Sequence, residues 1–208
     1  MTMKTFTVNR GFTLIETMVA ITILTLAISG AFVTANTSIL VARIAHNQLV
    51  ASYLAQEGIE YVRMMRDDEY LAAYHVGGTD ISSVGWNNFL NGTGSDPATI
   101  SACRTTTCTL DPTLVMGTGM NLSLQPCSGL SCLPLYLTCS SPGYACASFY
   151  TQRNSIAGAT KTPFTRTIQV IDVSSTNNND KKVISTVSWL DHMTPYSVTI
   201  TDHLTPWQ

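Results

Sequence analysis

Between Glu16 and Arg43 the chain carries no charged side chain. The intervening stretch, TMVAITILTLAISGAFVTANTSILVA, runs from Thr17 to Ala42. Crossing the hydrocarbon of a bilayer takes roughly 20 apolar residues, about 30 Å of helix, so this run is long enough to span a membrane. Its start is unusual. Gly11-Phe12-Thr13-Leu14-Ile15-Glu16 places a carboxylate at the head of the apolar stretch, where an unpaired charge costs at least a few kcal/mol. Before it stands a short leader, MTMKTFTVNRG, with Lys4 and Arg10 and no acid.

Two ordinary explanations fit poorly. A secretory signal is cut after an apolar core of about 7–15 residues, whereas this core is longer and lacks an obvious small-residue cleavage site. A simple single-pass anchor wants a neutral residue at position 16. Lys4 and Arg10 precede the run, so the positive-inside bias holds the N-terminus in the cytoplasm and sends the rest outward.

The basic leader ending in Gly11, then Phe12, Thr13, an apolar run and Glu16 as fifth residue after the glycine, resembles the N-terminus of type IV prepilins. That family includes pilins and the pseudopilins of type II secretion. The resemblance implies that a membrane peptidase, the prepilin peptidase, cuts between Gly11 and Phe12 and methylates the new Phe12 amine. It implies that Glu16 meets the positive Phe12 amine of a neighbouring pilin subunit during assembly on an inner-membrane platform. A buried carboxylate is tolerable when paired with an ammonium, and N-methylation keeps that charge. The implied fold is α+β and pilin-like: a long N-terminal helix packed on a C-terminal antiparallel meander, with a Cys-rich variable loop region between. The segments are a leader 1–11, a membrane and filament-core helix half 12–42, an amphipathic half 43–66 and a head 67–208. The head holds the Cys-rich region at 92–148 and the sheet at 163–205.

The chain has 208 residues, enough for one domain beyond the helix. Without the leader it keeps nine basic against thirteen acidic side chains, a net of −4, which does not suggest a nucleic-acid binder. Six cysteines, Cys103, Cys108, Cys127, Cys132, Cys139 and Cys146, all follow the apolar run. An even number in an oxidising compartment reads as disulfides. Sequence alone leaves about 15 pairings open; the expectation here is the local set, 103–108, 127–132 and 139–146. The rival is a zinc site at the four-residue gaps, although no histidine lies between Cys103 and Cys146.

Beyond Ala42 the pattern turns amphipathic to about Met65, with Ile39, Val50, Leu54, Tyr61 and Met65 on one helical face. Glu60 and Arg63 form an i,i+3 surface pair, and Gly58 reads as a soft spot weaker than Ala by about 1 kcal/mol. Many major pilins carry a proline in the first half of this helix. Here the first proline is Pro97 and Ser29-Gly30 the one weak point, which leans toward a minor subunit. The segment SYLAQEGIEYVRMMRD, Ser52 to Asp67, also resembles minor pilins. Asp67-Asp68-Glu69 opposes the helix dipole, so the helix is expected to end or bend there. Tyr70 to Asn91 reads as a loop with short helical pieces. Gly92 to Gly143 reads as elaborated loop, with short strands at Asn121–Gln125 and Leu135–Cys139.

The C-terminal part reads as sheet: Pro163 to Ser174, a turn at Asn177–Asp180, then Lys182 to Asp191 with Val183, Val187 and Trp189 on one face. After a turn at His192–Pro195, Tyr196, Val198, Ile200 and Leu204 alternate with polar residues. Tyr144–Thr151 is a candidate fourth strand.

No phosphate-binding glycine loop, G-x-S-x-G or H-E-x-x-H is present, so the reading is not an enzyme and needs no cofactor; an anchored hydrolase lacks a nucleophile–base signature. Asp191-His192 and Asp202-His203 are poor chelates, because adjacent strand residues point to opposite faces. Asp172 with Asn177–Asp180 lacks regular calcium-ligand spacing and reads as a plain turn. Arg153, Lys161 and Arg166 read as a solvated face, too few for more than a weak grip on DNA. Asn91-Gly92-Thr93 and Asn121-Leu122-Ser123 match an N-glycosylation pattern of little weight. The expected function is a minor pilin or pseudopilin subunit of a type IV pilus or type II secretion-like filament, in the bacterial inner membrane before assembly and outside after it. The alternative is a membrane-tethered extracellular adhesin or lectin with a disulfide-stabilised head.

Overall fold

A computed structural model describes residues 11–92, 100–111, 124–139, 148–153, 158–173 and 179–206. The chain divides after His46 into two compact units. The leader residues 1–10, Pro97, Asn177 and Asn178, the pattern Asn121-Leu122-Ser123 and the cysteine at 146 lie outside the described residues.

The first helix, α1, spans Leu14–Val76 and contributes to both units. In the first unit every described residue through Arg43 is exposed. The large apolar side chains from Phe12 to Val41 are therefore exposed. The hydroxyls scattered through this run are self-contained. Thr17, Thr22, Thr25, Ser29, Thr34, Thr37 and Ser38 each donate to a carbonyl three or four residues back in the same helix, at 2.7–3.2 Å. A hydroxyl satisfied in this way no longer needs water. The helix runs unbroken through Ser29-Gly30.

In the second unit the buried face of α1 is Ala51, Leu54, Ala55, Gly58, Ile59 and Val62. The expected stripe is only partly right. Leu54 is buried, Val50, Tyr61 and Met65 are half-buried, and Ile39 is exposed. Small residues set the seam because they let the helix approach the sheet closely. At Gly58 an added Cβ would lie 2.7 Å from Ser185 Oγ, 2.9 Å from Ile168 Cδ1 and 3.2 Å from Arg166 Cδ. Gly58 is thus a close-packing position rather than a soft spot. The helix also continues past Asp67-Asp68-Glu69: Asp67 is paired with Arg66 at 2.8 Å, Ala73 is buried, and the end comes at Gly77, whose φ of 78° suits a left-handed cap.

In the segment read as a loop with short helical pieces, one helix, α2, spans Ile81–Asn91, capped by the Asp80 carboxylate accepting from Ser83 N–H at 3.3 Å. Trp86, Phe89 and Leu90 turn inward, a helical i, i+3, i+4 spacing. A short α3 covers Ala102–Thr105.

Two antiparallel sheets follow. The larger has the order β2-β1-β6-β7-β8, with β1 Thr107–Leu110, β2 Leu124–Cys127, β6 Thr165–Asp172, β7 Lys181–Asp191 and β8 Thr194–Leu204. The expected three-stranded meander is β6-β7-β8, widened by two short strands. The smaller sheet is β4-β3-β5, with β3 Tyr136–Cys139, β4 Ser148–Thr151 and β5 Thr160–Lys161. The candidate fourth strand therefore exists as β4, in a different sheet from the meander. The two sheets are joined by Gln152, which accepts from Leu110 N–H and donates to the carbonyls of Leu133 and Arg166, each at 2.8 Å.

The core forms two clusters. Ile59 and Val62 meet α2, Val170, Val183 and Leu204. Ala51, Leu54 and Ala55 meet Leu135, Phe164, Val187 and Trp189. Val183, Val187 and Trp189 do share the buried face of β7, as their alternation predicts. The β7–β8 connection is a two-residue turn, His192-Met193, with φ of 47° and 67°. Left-handed conformation at a non-glycine residue costs roughly 1–2 kcal/mol, and hairpin turns of this kind usually carry Asn-Gly.

Candidate functional site

The N-terminal segment is the site the sequence singles out. Gly11, Phe12 and Thr13 precede the helix, and Phe12 is fully accessible at 79% exposure. The Gly11–Phe12 bond therefore lies in non-helical chain one turn ahead of the apolar run. Thr13 begins the helix. Its Oγ1 accepts from Glu16 N–H at 3.3 Å, and its carbonyl accepts from Thr17 N–H at 3.2 Å. Thr13-x-x-Glu16 has the spacing of a capping box, a local signal visible in the sequence but easily masked by the apolar run around it. Glu16 sits in the first turn, where the helix dipole favours a negative charge. Among the described residues its carboxylate has no partner. The arrangement leaves an acceptor at the entry of an exposed apolar helix, free to take a cation from outside the chain.

The head residues considered for chemistry behave differently. Cys103 is joined to Cys108 and Cys127 to Cys132, so these four carry no thiolate for a zinc ion. Cys139 closes β3 through its backbone; its side chain and Cys146 lie outside the described residues. The first bond closes the loop from α3 into β1. The second closes β2 onto a 3-10 turn at Gly129–Ser131.

The basic trio is not one face. Arg166 is completely buried: its guanidinium donates to Glu57 Oε2 at 2.7 Å, to Leu54 O at 3.2 Å and to Leu110 O at 3.0 Å. Burial pushes its pKa down, and Glu57 opposes that shift. Burial beside Glu57 also raises the Tyr61 hydroxyl. A charge so enclosed contributes nothing to a surface patch, which corrects the reading of Arg166 as solvated. Sequence reasoning missed it because an isolated arginine in a β-pattern reads as an outward residue.

Lys181 is buried as well, with its ammonium on Asp172, which also accepts from Arg104 Nη2 at 2.8 Å. These bonds, Lys181 first, hold the Asp172 carboxyl below its ordinary range. Asp172 is thus engaged by two cations instead of presenting oxygens to calcium. Asp180 meets His203 Nδ1 at 3.0 Å. The two Asp-His pairs do not converge: His192 bonds Asp191 at 3.0 Å by the turn, while Asp202 bonds Arg63 Nε at 2.9 Å. Among the described residues no group of three or more His, Cys, Asp or Glu gathers as a metal site. Arg63 also holds Glu60 at 2.6 Å, the expected surface pair.

Among the described residues α1 is the one helix long and apolar enough to cross a membrane. No curated protein and no solved structure matches the chain. Residues 7–32 match the family model of the prokaryotic N-terminal methylation motif, so the chain carries the signature of type IV pilins and pseudopilins.

Proposed function

We propose that the chain is a minor pilin or pseudopilin, a subunit of a type IV pilus or of a type II secretion-like filament. One observation carries the reading: the methylation motif at residues 7–32 leads into a helix whose large apolar side chains are exposed. Such a surface is stable in lipid or among like helices, and a filament offers both in turn. In this reading the prepilin peptidase cuts after Gly11 and methylates Phe12. Residues 12–42 first span the inner membrane with the leader on the cytoplasmic side, then pack in the filament core. Beyond residue 42 the helix continues to Val76 as part of the head, which lies outside. Glu16 receives the Phe12 amine of a neighbouring subunit, which sets the axial register. The work is mechanical rather than catalytic. The lack of proline between Phe12 and Arg66 and the cysteine-rich head support a minor rather than a major subunit.

The decisive experiment is mass analysis of the N-terminus of protein purified from the native membrane. A chain starting at N-methylated Phe12 is expected. A chain retaining Met1 would overturn the proposal and favour a tethered binding module.

A further inference from the structure

We propose that the tip of the β7–β8 hairpin is a second membrane contact, entering the headgroup region of the leaflet on the side of the head. The proposal rests on the membrane-anchored reading above and adds a lipid-binding element to the head itself.

The direction of the hairpin follows from its packing within the second unit. Going down α1 from Ile59 and Val62 to Ala51 and Leu54, the partners on the hairpin move from Val183 and Leu204 to Val187 and Trp189. One further step along the strands reaches the turn. The tip therefore lies at the end of the unit where residue 47 enters. Residue 47 is only five residues beyond Ala42, the last residue of the apolar run. Five residues of chain are all that separate the run from this end of the head, which keeps that end within reach of the lipid surface.

The chemistry of the tip suits that position. Met193 is 95% exposed and Leu190 66% exposed. Met193 occupies one of two consecutive positive-φ positions, where glycine is the least strained choice. A large apolar side chain held bare in a strained backbone buries nothing within the folded head, and backbone strain of this kind clusters at functional sites. The nearby acid is screened, since Asp191 is largely covered and bonded to His192. Behind the turn, Trp189, itself in the core, stacks on the half-buried Tyr196 at 5.6 Å, which braces the base of the hairpin.

The test uses the full chain in phosphatidylcholine vesicles, with and without bromine on the acyl chains near the headgroup. Tryptophan is introduced at the tip by Met193→Trp or, as a control, by Val173→Trp. Val173 is also exposed but follows β6 at the opposite end of the sheet, beside Asp172. Flotation first establishes that each protein resides in the vesicles. The emission added at 193 is expected to be largely lost in brominated vesicles, and that added at 173 to be retained. Floating protein with equal quenching at the two positions would overturn the hairpin contact alone. Protein that fails to float would overturn the anchored reading beneath it.

Discussion

The Arg166 guanidinium, with no exposed surface, donates to the Glu57 carboxylate at 2.7 Å across 109 residues of sequence. The bond ties the core face of β6 to α1 at the helix seam. Its energetic weight lies in what happens when it is broken. Glu57→Ala would leave a buried cation uncompensated, a loss of about 3–5 kcal/mol. Adding Arg166→Met to that variant removes the stranded charge and fills similar volume, so the double variant should be more stable than Glu57→Ala alone. Denaturant unfolding of the three proteins checks this; a double variant no better than the single one would show that the arginine is not the stranded partner.

The seam also fixes Gly58. Gly58→Ala would gain about 1 kcal/mol in helix propensity, yet its methyl would press on Ser185 Oγ and Ile168 Cδ1. Overpacking of this kind costs about 1–3 kcal/mol, so net destabilisation is expected. Ser185→Ala removes the closest of those contacts and a buried hydroxyl that has no hydrogen-bond partner among the described residues. Introduced together with Gly58→Ala, it should recover part of the loss. A thermal melt in which Gly58→Ala is as stable as the wild type would contradict the close approach.

These two positions mark where sequence reading stops. The long helix, the β6-β7-β8 meander and the inward set Val183, Val187 and Trp189 were legible because period and alternation are local properties. Two of the three expected local cysteine pairs, Cys103–Cys108 and Cys127–Cys132, are formed; the third, 139–146, lies outside the described residues. Arg166 and Lys181 were not, because a charged residue reads as solvated until its partner is known, and Glu57 is supplied from a distant element. Gly58 was misread since helix propensity is an isolated-helix quantity, overridden here by contact with β6 and β7. The helix α2 had a signal, Asp80 followed by Trp86, Phe89 and Leu90, but one too short to separate from a loop. At the N-terminus the apolar run and Glu16 were plain in the sequence, while the Thr13-x-x-Glu16 capping spacing was masked by the apolar residues around it.

Acid stability follows from Asp172. Lys181 and Arg104 hold its folded carboxyl below the ordinary value. A depressed carboxyl contributes stability that is fully present above its unfolded pKa and is lost as pH falls through the folded one. Stability should therefore be insensitive to this group at neutral pH and decline on acidification below about pH 4. In Asp172→Asn that part of the acid limb should flatten. The variant should also lose about 2–3 kcal/mol at neutral pH, because the buried Lys181 ammonium forfeits its charged acceptor. Urea midpoints measured from pH 7 down to pH 2.5 test both claims, and an unchanged acid slope in the variant would assign the dependence elsewhere.

Processing and assembly draw on different atoms of the N-terminal segment. The Gly11–Phe12 bond precedes the first helical turn, whereas the Glu16 carboxylate lies within it and has no partner among the described residues. Glu16→Ala leaves the Thr13 cap intact, because that bond uses the backbone N–H of residue 16. Cleavage after Gly11 should therefore proceed at close to the wild-type level. Incorporation into filaments should fall by tenfold or more, since an ion pair in apolar surroundings exceeds the ~1.4 kcal/mol that corresponds to one decade. Thr13→Ala is the complementary variant: it weakens the helix start by about 1 kcal/mol while keeping the carboxylate, and should assemble far better than Glu16→Ala. Quantifying cleaved and filament-bound protein in the same cells reads both steps. Normal incorporation of Glu16→Ala would remove the neighbour's Phe12 amine as the partner of this acid.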